Sequence, residues 1–558
     1  MGNKKSLLRT VGLTIVVLLM VACGGTQAEP LDTPTAPTAT QAPTATPAPA
    51  EQTLTTPSVS TRAFPAYWPT KSWQTSTPEE QGMDSEMLGD MLAFIQRGQI
   101  VSRYDIDSVT IIRNGYIVLD VAYFPFPSDS KHLVHSTAKS IVSALVGIAI
   151  KQRYIENAQT PVLDLFPGRT AANLTANKKA MTLENLLSMT TGMKCEDSYL
   201  YDYRGLKEME QSPDWVQFIL DLPMSEEPGA RFEDCNGATF LLSAIIQETT
   251  GMNALEFAER HLFAPLSISD VEWPSNPQGI TIGWGELRIR PHDMAKIGYL
   301  YLNEGLWNGE QIVPSAWVAA STRKHISAMT FEDGYGYQWW VDESGIYMAL
   351  GDSGQYIVVV PEKELVVVFT SNLGEKFFFV PRDLVDDFIV PAAKSRMPLP
   401  ANPDSTVYLQ TLIHDAEQPE FAPQPVPPPP AIAAQTFGDT YFVERNVLGW
   451  ESFSLVMQDG TEVVLRLTWD ETGPSTEAEF KLGLDGVQRL GAGPFGVPAA
   501  GKGYWEGENV FVAEIDDTGN MVNLRLEMKF KGDDVTVTAT VSFLPDAVVI
   551  QGKRAGSP

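Results

Sequence analysis

The sequence predicts an α+β domain followed by a small all-β domain, and two features lead to this order. In the first part of the chain, strand patterns at 108–124 and 355–371 enclose a stretch of helical patterns. After a proline-rich joint at 417–435, apolar and polar residues alternate at strand spacing. We therefore expect an antiparallel sheet flanked by helices, and then a separate antiparallel barrel or sandwich.

The first predicted domain takes its sheet from both ends of its sequence. Two strands around Asn114 and Gly115 are indicated by "SVTIIRNGYIVLDVAYF", because this dipeptide is typical of a two-residue hairpin. A second pair of strands, turning at 361–364, is indicated by "QYIVVVPEKELVVVFTS". Between them, "NGATFLLSAIIQETTG" repeats apolar residues at helical spacing and ends at Gly251, a residue suited to a helix C-cap. We expect the strands from the two ends to meet in one sheet.

The second predicted domain consists of hairpins with one buried face. In "NLRLEMKF", Leu524, Leu526 and Met528 alternate with charged residues, and a Gly-Asp turn leads into a second alternating run. No constellation of catalytic residue types stands out in this part of the sequence. We interpret it as an accessory or packing module.

Composition excludes several classes of function. The chain has 558 residues, a net charge of −29 and three cysteines. Such a negative charge argues against nucleic acid or anionic lipid as a partner, because both would be repelled. The sequence has no C-x-x-C, H-E-x-x-H or P-loop pattern, so nothing supports a metal or nucleotide cofactor, and none is expected.

The N-terminus has the pattern of an export signal with a site for lipid attachment. Basic residues open it, a short apolar run occupies 11–22, and Cys23 follows directly. The run is too short to span a bilayer comfortably but suits a signal peptide. The ending "MVAC" resembles a bacterial lipobox, in which the cysteine is acylated and becomes the mature N-terminus. An ordinary signal peptide with an incidental cysteine is the alternative.

These patterns divide the chain into five parts. We predict a lipoprotein signal peptide at 1–22, a Pro/Thr-rich tether at 23–65, the α+β domain at 66–396, a Pro-rich linker at 397–435 and the β domain at 436–558. The proline-rich tether cannot bury enough apolar surface to fold. The expected location is therefore outside the cytoplasm, on a membrane, through a lipid anchor.

A serine and a lysine stand three residues apart at the start of a predicted buried helix, "HSTAKSIVSALVGIAI". At a helix N-terminus, the backbone N–H of Ser136 is free to point at a developing oxyanion. Lys139 lies one turn further on the same face, where partial burial would help it to deprotonate the serine. A serine N-cap with a snorkelling lysine would give the same spacing without chemistry.

Several ordered blocks resemble the serine β-lactamase, penicillin-binding protein and esterase superfamily. The likeness is closest to its class-C-like branch, which includes esterases and 6-aminohexanoate-dimer hydrolases, and covers roughly 70–395. Besides the Ser136 helix, the blocks are "TLENLLSMTTGM", "PGARFEDCNGATFLLSAIIQETTGM", "GWGELRIRPHDMAKIGYLYLNEGLWNGEQIVP" and "GDSGQYIVVVP". The resemblance implies a β-lactamase-like fold for the first domain.

The resemblance also implies a role for each matching position. Ser136 would be the acylated nucleophile and Lys139 its base partner. Asn236 would close the second motif and bind substrate, as would Gly354 at the end of the third motif. The backbone N–H groups of Ser136 and Gln355 would form the oxyanion hole.

Two departures from the family concern proton transfer and charge. The second motif usually reads Tyr-x-Asn, but here Asp234 takes the place of the tyrosine and is a candidate base. The third motif usually opens with lysine, histidine or an aromatic residue, but here Asp352 and Ser353 precede the glycine on the substrate side. These carboxylates weaken any expectation of β-lactamase activity. A phenol from Tyr199, Tyr201 or Tyr203 is an alternative to Asp234.

Two cysteines would border the active site in the family's fold. Cys195 follows one family-like block and Cys235 lies inside the second motif. Export would permit a disulfide between them, and two buried free thiols are the alternative.

The sequence therefore predicts an exported serine hydrolase that cleaves an ester or amide bond through an acyl-enzyme at Ser136, activated by Lys139. The expected partners are a small-molecule substrate and a membrane. The alternative is a catalytically impaired protein of the same fold that binds or scaffolds at the cell surface. The pattern does not identify the substrate.

Overall fold

A computed structural model of the chain describes residues 67–102, 105–197, 203–328, 332–470, 477–494, 497–517, 522–542, 544 and 546–556. The predicted signal peptide, Cys23 and the tether lie outside these residues, as do Tyr199 and Tyr201. Within these ranges, the helices lack the combination of length and apolar character that crossing a bilayer requires.

The helices in chain order are α1 (Ser85–Ser102), α2 (Thr137–Lys151), α3 (Ala176–Ala180), α4 (Leu183–Leu187), α5 (Arg204–Gln211), α6 (Trp215–Asp221), α7 (Asn236–Thr250), α8 (Ala254–Ala258), α9 (Pro291–Leu302), α10 (Ser315–Ser321), α11 (Val380–Leu384), α12 (Val390–Ala392), α13 (Pro403–Ala416) and α14 (Ala433–Thr436).

The strands are β1 (Ile106–Arg113), β2 (Tyr116–Ala122), β3 (His132–Leu133), β4 (Arg288–Ile289), β5 (Leu306–Trp307), β6 (Glu310–Gln311), β7 (Ile326–Ser327), β8 (Gly334–Tyr335), β9 (Trp340–Val341), β10 (Tyr347–Gly351), β11 (Gln355–Val360), β12 (Leu365–Ser371), β13 (Thr440–Val443), β14 (Trp450–Met457), β15 (Glu462–Trp469), β16 (Glu477–Gly483), β17 (Arg489–Ala492), β18 (Pro498–Glu506), β19 (Val510–Asp517), β20 (Val522–Lys531), β21 (Asp534–Val541) and β22 (Val548–Arg554).

The first domain is built on one antiparallel sheet of eight strands, in the order β2-β1-β12-β11-β10-β9-β8-β7. Its first and last long strands pair directly, with Ile111 opposite Val367, as the sequence predicts. The β1–β2 hairpin turns at Asn114 and Gly115, whose φ angles of 51° and 87° are both left-handed. A two-residue turn of this kind matches the twist of the flanking strands.

Helices cover this sheet on both faces. Every residue of β1, β11 and β12 is buried, which requires packing on both sides of these strands. Helix α9 packs on β11 and β12, and α2 packs on β10 and on α7. Helix α7 ends at Gly251, which has a φ of 74° and donates its N–H to Gln247, the predicted C-cap. The α+β fold with a sheet flanked by helices is confirmed.

The predicted linker at 397–435 is not extended throughout. It contains α13, which begins at Pro403 behind an Asn402 side chain that accepts the N–H of Ser405. This helix packs along α1 and touches β2, so the packed structure of the first domain continues past residue 396. A helix can form here because most prolines of the segment follow residue 416, after the end of α13. The proline content of the whole segment nevertheless gives it the composition of a linker.

The second domain is a closed barrel, and this decides between the barrel and the sandwich. Its sheet runs β16-β15-β14-β13-β22-β21-β20-β19-β18-β17, and β16 also pairs with β18. That parallel pairing closes nine strands into a barrel and leaves β17 beside β18. Aromatic and aliphatic side chains fill the interior, among them Trp450, Phe453 and Phe511.

Candidate active site

Ser136 stands immediately before α2, half-buried, and its side chain makes no hydrogen bond to the helix start. The hydroxyl is therefore not used as an N-cap, which was the alternative without chemistry for this serine. His135 before it has a φ of 45°, in the left-handed region that a non-glycine residue enters at a cost of about 1–3 kcal/mol. Such strain is concentrated at functional sites, where the surrounding structure holds a side chain in a required position.

Lys139 lies one turn along α2 and is buried rather than snorkelling. Its Nζ is 3.0 Å from Oδ1 of Asp234, and the two side chains are 5% and 39% exposed. A buried ammonium requires such a partner, because leaving one charge of a buried pair unmatched costs several kcal/mol. The structure thus brings together the first motif and the unusual first residue of the second motif.

A glutamine that the sequence analysis did not single out joins the helices that carry these groups. Gln338 is fully buried with a φ of 63°. Its backbone oxygen accepts a hydrogen bond from Ser140 on α2 at 2.5 Å, and its side-chain oxygen accepts one from Thr239 on α7 at 2.8 Å. Its amide nitrogen donates to the carbonyls of Leu186 and Leu187. All polar atoms of this side chain are used to fix α2, α7 and α4 relative to one another.

The third motif forms the turn between β10 and β11 and lies against the start of α2. A Cβ atom added to Gly351 would come within 3.3 Å of the Thr137 nitrogen and 3.0 Å of Cβ of Gln355. The strand can approach the helix this closely because position 351 has no side chain. Ser353 and Gly354 complete the turn with φ angles of 56° and 88°. Ser136 and Gln355, the predicted oxyanion-hole residues, thus lie on two segments in contact.

Asp352 contributes an exposed negative charge near the nucleophile. Its side chain accepts the N–H of Ser353 at 2.8 Å. Burial lowers the pKa of His135, and the charge of Asp352 opposes this shift while that of Arg288 reinforces it. The carboxylate of Asp352 therefore lies within electrostatic reach of the residue next to Ser136.

The barrel reaches the same region of the first domain. Arg288 pairs with Leu133 in the short β3–β4 ladder, three residues before Ser136. Burial lowers the pKa of Arg288, and carboxylates oppose this shift, including that of Asp517 at the end of β19. The second domain therefore places a carboxylate close to the segment that leads into the nucleophile.

Asp197 is a site residue that sequence reasoning missed. It is 4% exposed. Its Oδ1 accepts a hydrogen bond from Nδ2 of Asn236 at 3.1 Å, and its Oδ2 accepts one from the Gly237 N–H at 3.3 Å. Burial, and then the charge of Asp234, raises the pKa of Asp197 to about 7, although Lys139 opposes the shift. The available signal was its position two residues after Cys195, since a bridge to Cys235 would bring it beside the second motif.

Of the three alternative phenols, those of Tyr199 and Tyr201 lie outside the described residues. Tyr203 precedes α5 and packs, half-buried, on the hydrophobic core. A different phenol, that of Tyr335 in β8, is buried, and burial and then the charge of Asp234 raise its pKa. A phenol with a raised pKa stays protonated near neutral pH, so Tyr335 can donate a hydrogen bond but cannot serve as a base there.

Cys195 and Cys235 form a disulfide, with their Cα atoms 5.9 Å apart. The bridge ties the segment that carries Asp197 to the residue before α7. Within the described ranges, these two sulfurs form a cluster of potential metal ligands together with Asp197. Because the sulfurs are bonded to each other, they offer no thiolate to a metal.

Comparison with known proteins agrees with the motifs. Residues 79–388 match the Beta-lactamase family. A 6-aminohexanoate-dimer hydrolase of Paenarthrobacter ureafaciens is 23% identical over 320 residues, which are 53% of this chain and 80% of that protein. The octameric penicillin-binding protein homologue from Pyrococcus abyssi superposes with a TM-score of 0.43 at 15% identity, covering 83% of this chain and 99% of that chain. A family VIII carboxylesterase gives a TM-score of 0.42 at 14% identity, covering 62% and 98%.

We predict that Cys195 and Cys235 have no free thiol in the unreduced protein, because their sulfurs are bonded to each other. Alkylation in denaturant without reductant should leave Cys195 and Cys235 unmodified, and alkylation after reduction should modify both. Replacing both by serine should lower the free energy of unfolding by about 4 kcal/mol, as chain entropy gives for a bridge between residues 40 apart. Peptide mass spectrometry and denaturant titration measure these effects. Two alkylated thiols in the unreduced protein would contradict the bridge.

Proposed function

Because the chain belongs to the Beta-lactamase family, we propose that it is a serine hydrolase that cleaves an ester or amide bond through an acyl-enzyme on Ser136. One observation supports this most directly. The hydroxyl of Ser136 is not used to cap α2, and one turn away the buried Lys139 is paired with Asp234 at 3.0 Å. A nucleophile with a proton acceptor in reach is the minimum that covalent catalysis requires.

In this proposal, Ser136, Lys139 and Asp234 act as a proton relay. As Ser136 Oγ bonds to the substrate carbonyl carbon, its proton passes to Lys139 while Lys139 passes one of its own to Asp234. When the tetrahedral intermediate collapses, the bond to the leaving group breaks and the leaving group takes the proton back from the same pair. Water then attacks the acyl-enzyme by the same route, which releases the acid and restores Ser136.

Stabilisation of the oxyanion would come from backbone N–H groups. Those of Ser136 and Gln355 belong to segments that the missing side chain of Gly351 allows into contact. The positive end of the α2 dipole lies at the same place and favours a developing negative charge. No cofactor takes part in this chemistry.

The carboxylates of the site favour a neutral substrate. Asp234 is partly exposed beside Lys139, and Asp352 is exposed near Ser136. The charge of Asp234 is balanced by Lys139, but a substrate carboxylate would be repelled by Asp352, so we propose small uncharged esters or amides as substrates rather than β-lactams that carry a carboxylate.

We predict that a fluorophosphonate labels Ser136. Ser136→Ala should abolish both labelling and ester turnover. Lys139→Arg keeps the positive charge that faces Asp234, but a guanidinium cannot accept a proton, so labelling should slow at least about a hundredfold. Ser344→Ala is the matched control, because this exposed serine in the turn between β9 and β10 bonds to Asp342 and not to the site. Mass spectrometry of the labelled peptide locates the adduct.

Two outcomes of that experiment count against the proposal. Turnover that survives Ser136→Ala would show that the nucleophile is elsewhere. A wild type that is neither labelled nor active on an ester panel would favour the alternative, a binding or scaffolding protein in which the Lys139–Asp234 pair is structural.

We predict that Asp352 sets charge selectivity. Asp352→Lys should raise kcat/KM for an anionic ester relative to its neutral analogue by about fivefold, since an exposed charge contributes about 1 kcal/mol at most. Asp352→Asn should give a smaller change in the same direction. Asp534→Lys, an equal change of net charge at the exposed first residue of β21 in the barrel, is the control and should leave the ratio unchanged. Equal ratios in all four proteins would contradict the role of Asp352.

For location, we propose export and lipid attachment at Cys23, on the pattern of the N-terminal sequence. Cys23→Ser should move the protein from the membrane fraction to the soluble fraction of cells, as measured by sedimentation and immunoblotting. Ser136→Ala, which leaves the N-terminus intact, should stay with the membranes. A Cys23→Ser protein that still sediments with membranes would contradict the anchor.

A further inference from the structure

Asp197 binds the side chain of Asn236, the last residue of the second motif and the first residue of α7. The Asn236 carboxamide donates its nitrogen to Asp197 Oδ1 at 3.1 Å. Among the residues that the structure describes, no donor to the carboxamide oxygen of Asn236 is found. The nitrogen of the carboxamide is thus bound to Asp197, and its oxygen is the atom available to accept a hydrogen bond in the site.

We propose that Asp197 is a positioning residue: it fixes the Asn236 carboxamide by its nitrogen, so that the oxygen is presented to the Lys139 ammonium or to a donor on the substrate. This inference rests on the proposed hydrolase function. Two donors converge on the two oxygens of Asp197, one from the Asn236 side chain and one from the Gly237 N–H in the first turn of α7. An acceptor with this pair of partners defines both the start of the helix and the rotation of the amide.

The disulfide supports the same role. Cys195 and Cys235 flank the two partners in sequence, two residues before Asp197 and one before Asn236. The covalent bridge limits how far the two segments can separate. Asp197 therefore stays within hydrogen-bond distance of Asn236 although it lies 39 positions away in the sequence.

The charge of Asp197 makes this positioning dependent on pH. The groups that face it are the Lys139–Asp234 pair, the two donors of α7 and Glu210 of α5, whose own pKa is raised to about 8 by burial and by the charges of Glu286 and Asp197. With a pKa of about 7, Asp197 is a carboxylate above that pH and a carboxylic acid below it. Hydrogen bonds to an ionised acceptor are about twice as strong as neutral ones, so Asn236 is held best above pH 7.

Ionisation of the buried Asp197 carboxyl opposes folding, so a neutral side chain at this position should not destabilise the protein through its charge. Because the pKa of Asp197 in the folded protein lies above its usual value, its contribution to stability declines as the pH rises from about 4 to 7. Asp197→Asn is neutral at every pH and avoids this loss. It keeps an oxygen for one donor but turns an NH₂ group toward the other, so it should fold and yet fix the Asn236 carboxamide and the start of α7 less firmly.

The test compares Asp197→Asn, Asp197→Glu and Asp214→Asn with the wild type on one neutral ester. The wild type should lose kcat/KM below pH 7. Asp197→Asn should lower kcat about ten- to hundredfold with little change in KM, and it should lack this acidic fall. Asp197→Glu should restore part of kcat and the acidic fall. Asp214 is the control because it also accepts an N–H at a helix start, that of Gln217 at 3.0 Å in α6. Asp214→Asn should keep the wild-type kcat and the fall of kcat/KM at acidic pH. Wild-type kcat and an unchanged pH profile in Asp197→Asn would overturn the proposal.

A second measurement decides the matter without turnover. Hydrogen exchange followed by mass spectrometry should show the first turn of α7, including the Gly237 amide, exchanging about tenfold faster in Asp197→Ala than in the wild type at pH 8. Equal exchange would overturn the role of Asp197. If the wild type is not labelled at Ser136, the proposed function fails by itself, and the exchange result alone decides whether Asp197 holds the start of α7.

Discussion

A buried ammonium on α2 and a carboxylate just before α7 hold the two helices of the candidate site together. Lys139 enters the interior among apolar side chains, and without Asp234 its charge would cost several kcal/mol. The fold therefore requires a partner at this point. The aspartate that replaces the family's tyrosine in the second motif meets that requirement, and it does so with the group that the proposed chemistry would use. In the proposed mechanism, stability and reactivity thus depend on the same pair of residues.

The rest of the site follows from how closely its three segments approach this pair. Gln338 joins α2 and α7 from the third side, and Gly351 lets the β10–β11 turn lie against the start of α2. Burial, and then the charges of neighbouring carboxylates, raises the pKa of Asp197 to about 7 and that of Glu210 to about 8. The exposed carboxylate of Asp352 is the basis of the proposed selectivity for uncharged substrates.

Local patterns in the sequence predicted the parts of the structure that local interactions determine. The hairpin at Asn114 and Gly115 was predictable because few residue pairs adopt its φ angles, and the end of α7 at Gly251 for the same reason. The first and third motifs could be recognised because each is continuous. Gln338 and Asp197 were not recognised, because each acts through partners about 40 to 200 positions away in the sequence. Helix α13 was missed because it lies in a proline-rich segment that was interpreted as a linker, and its stability comes from packing along α1.

The wall of the barrel is closed by a short seam. Strands β16 and β18 pair in parallel through only two residue pairs, Leu482 with Gly501 and Gly483 with Lys502. A Cβ atom at Gly501 would lie 2.6 Å from the Lys481 carbonyl oxygen, so the seam can close only around glycine. Parting these few hydrogen bonds would leave β16 with an unpaired edge, and an unpaired edge is the surface on which strands of another molecule add. By allowing β16 and β18 to pair, Gly501 thus leaves the nine-stranded barrel without the open strand edge on which a second molecule could add.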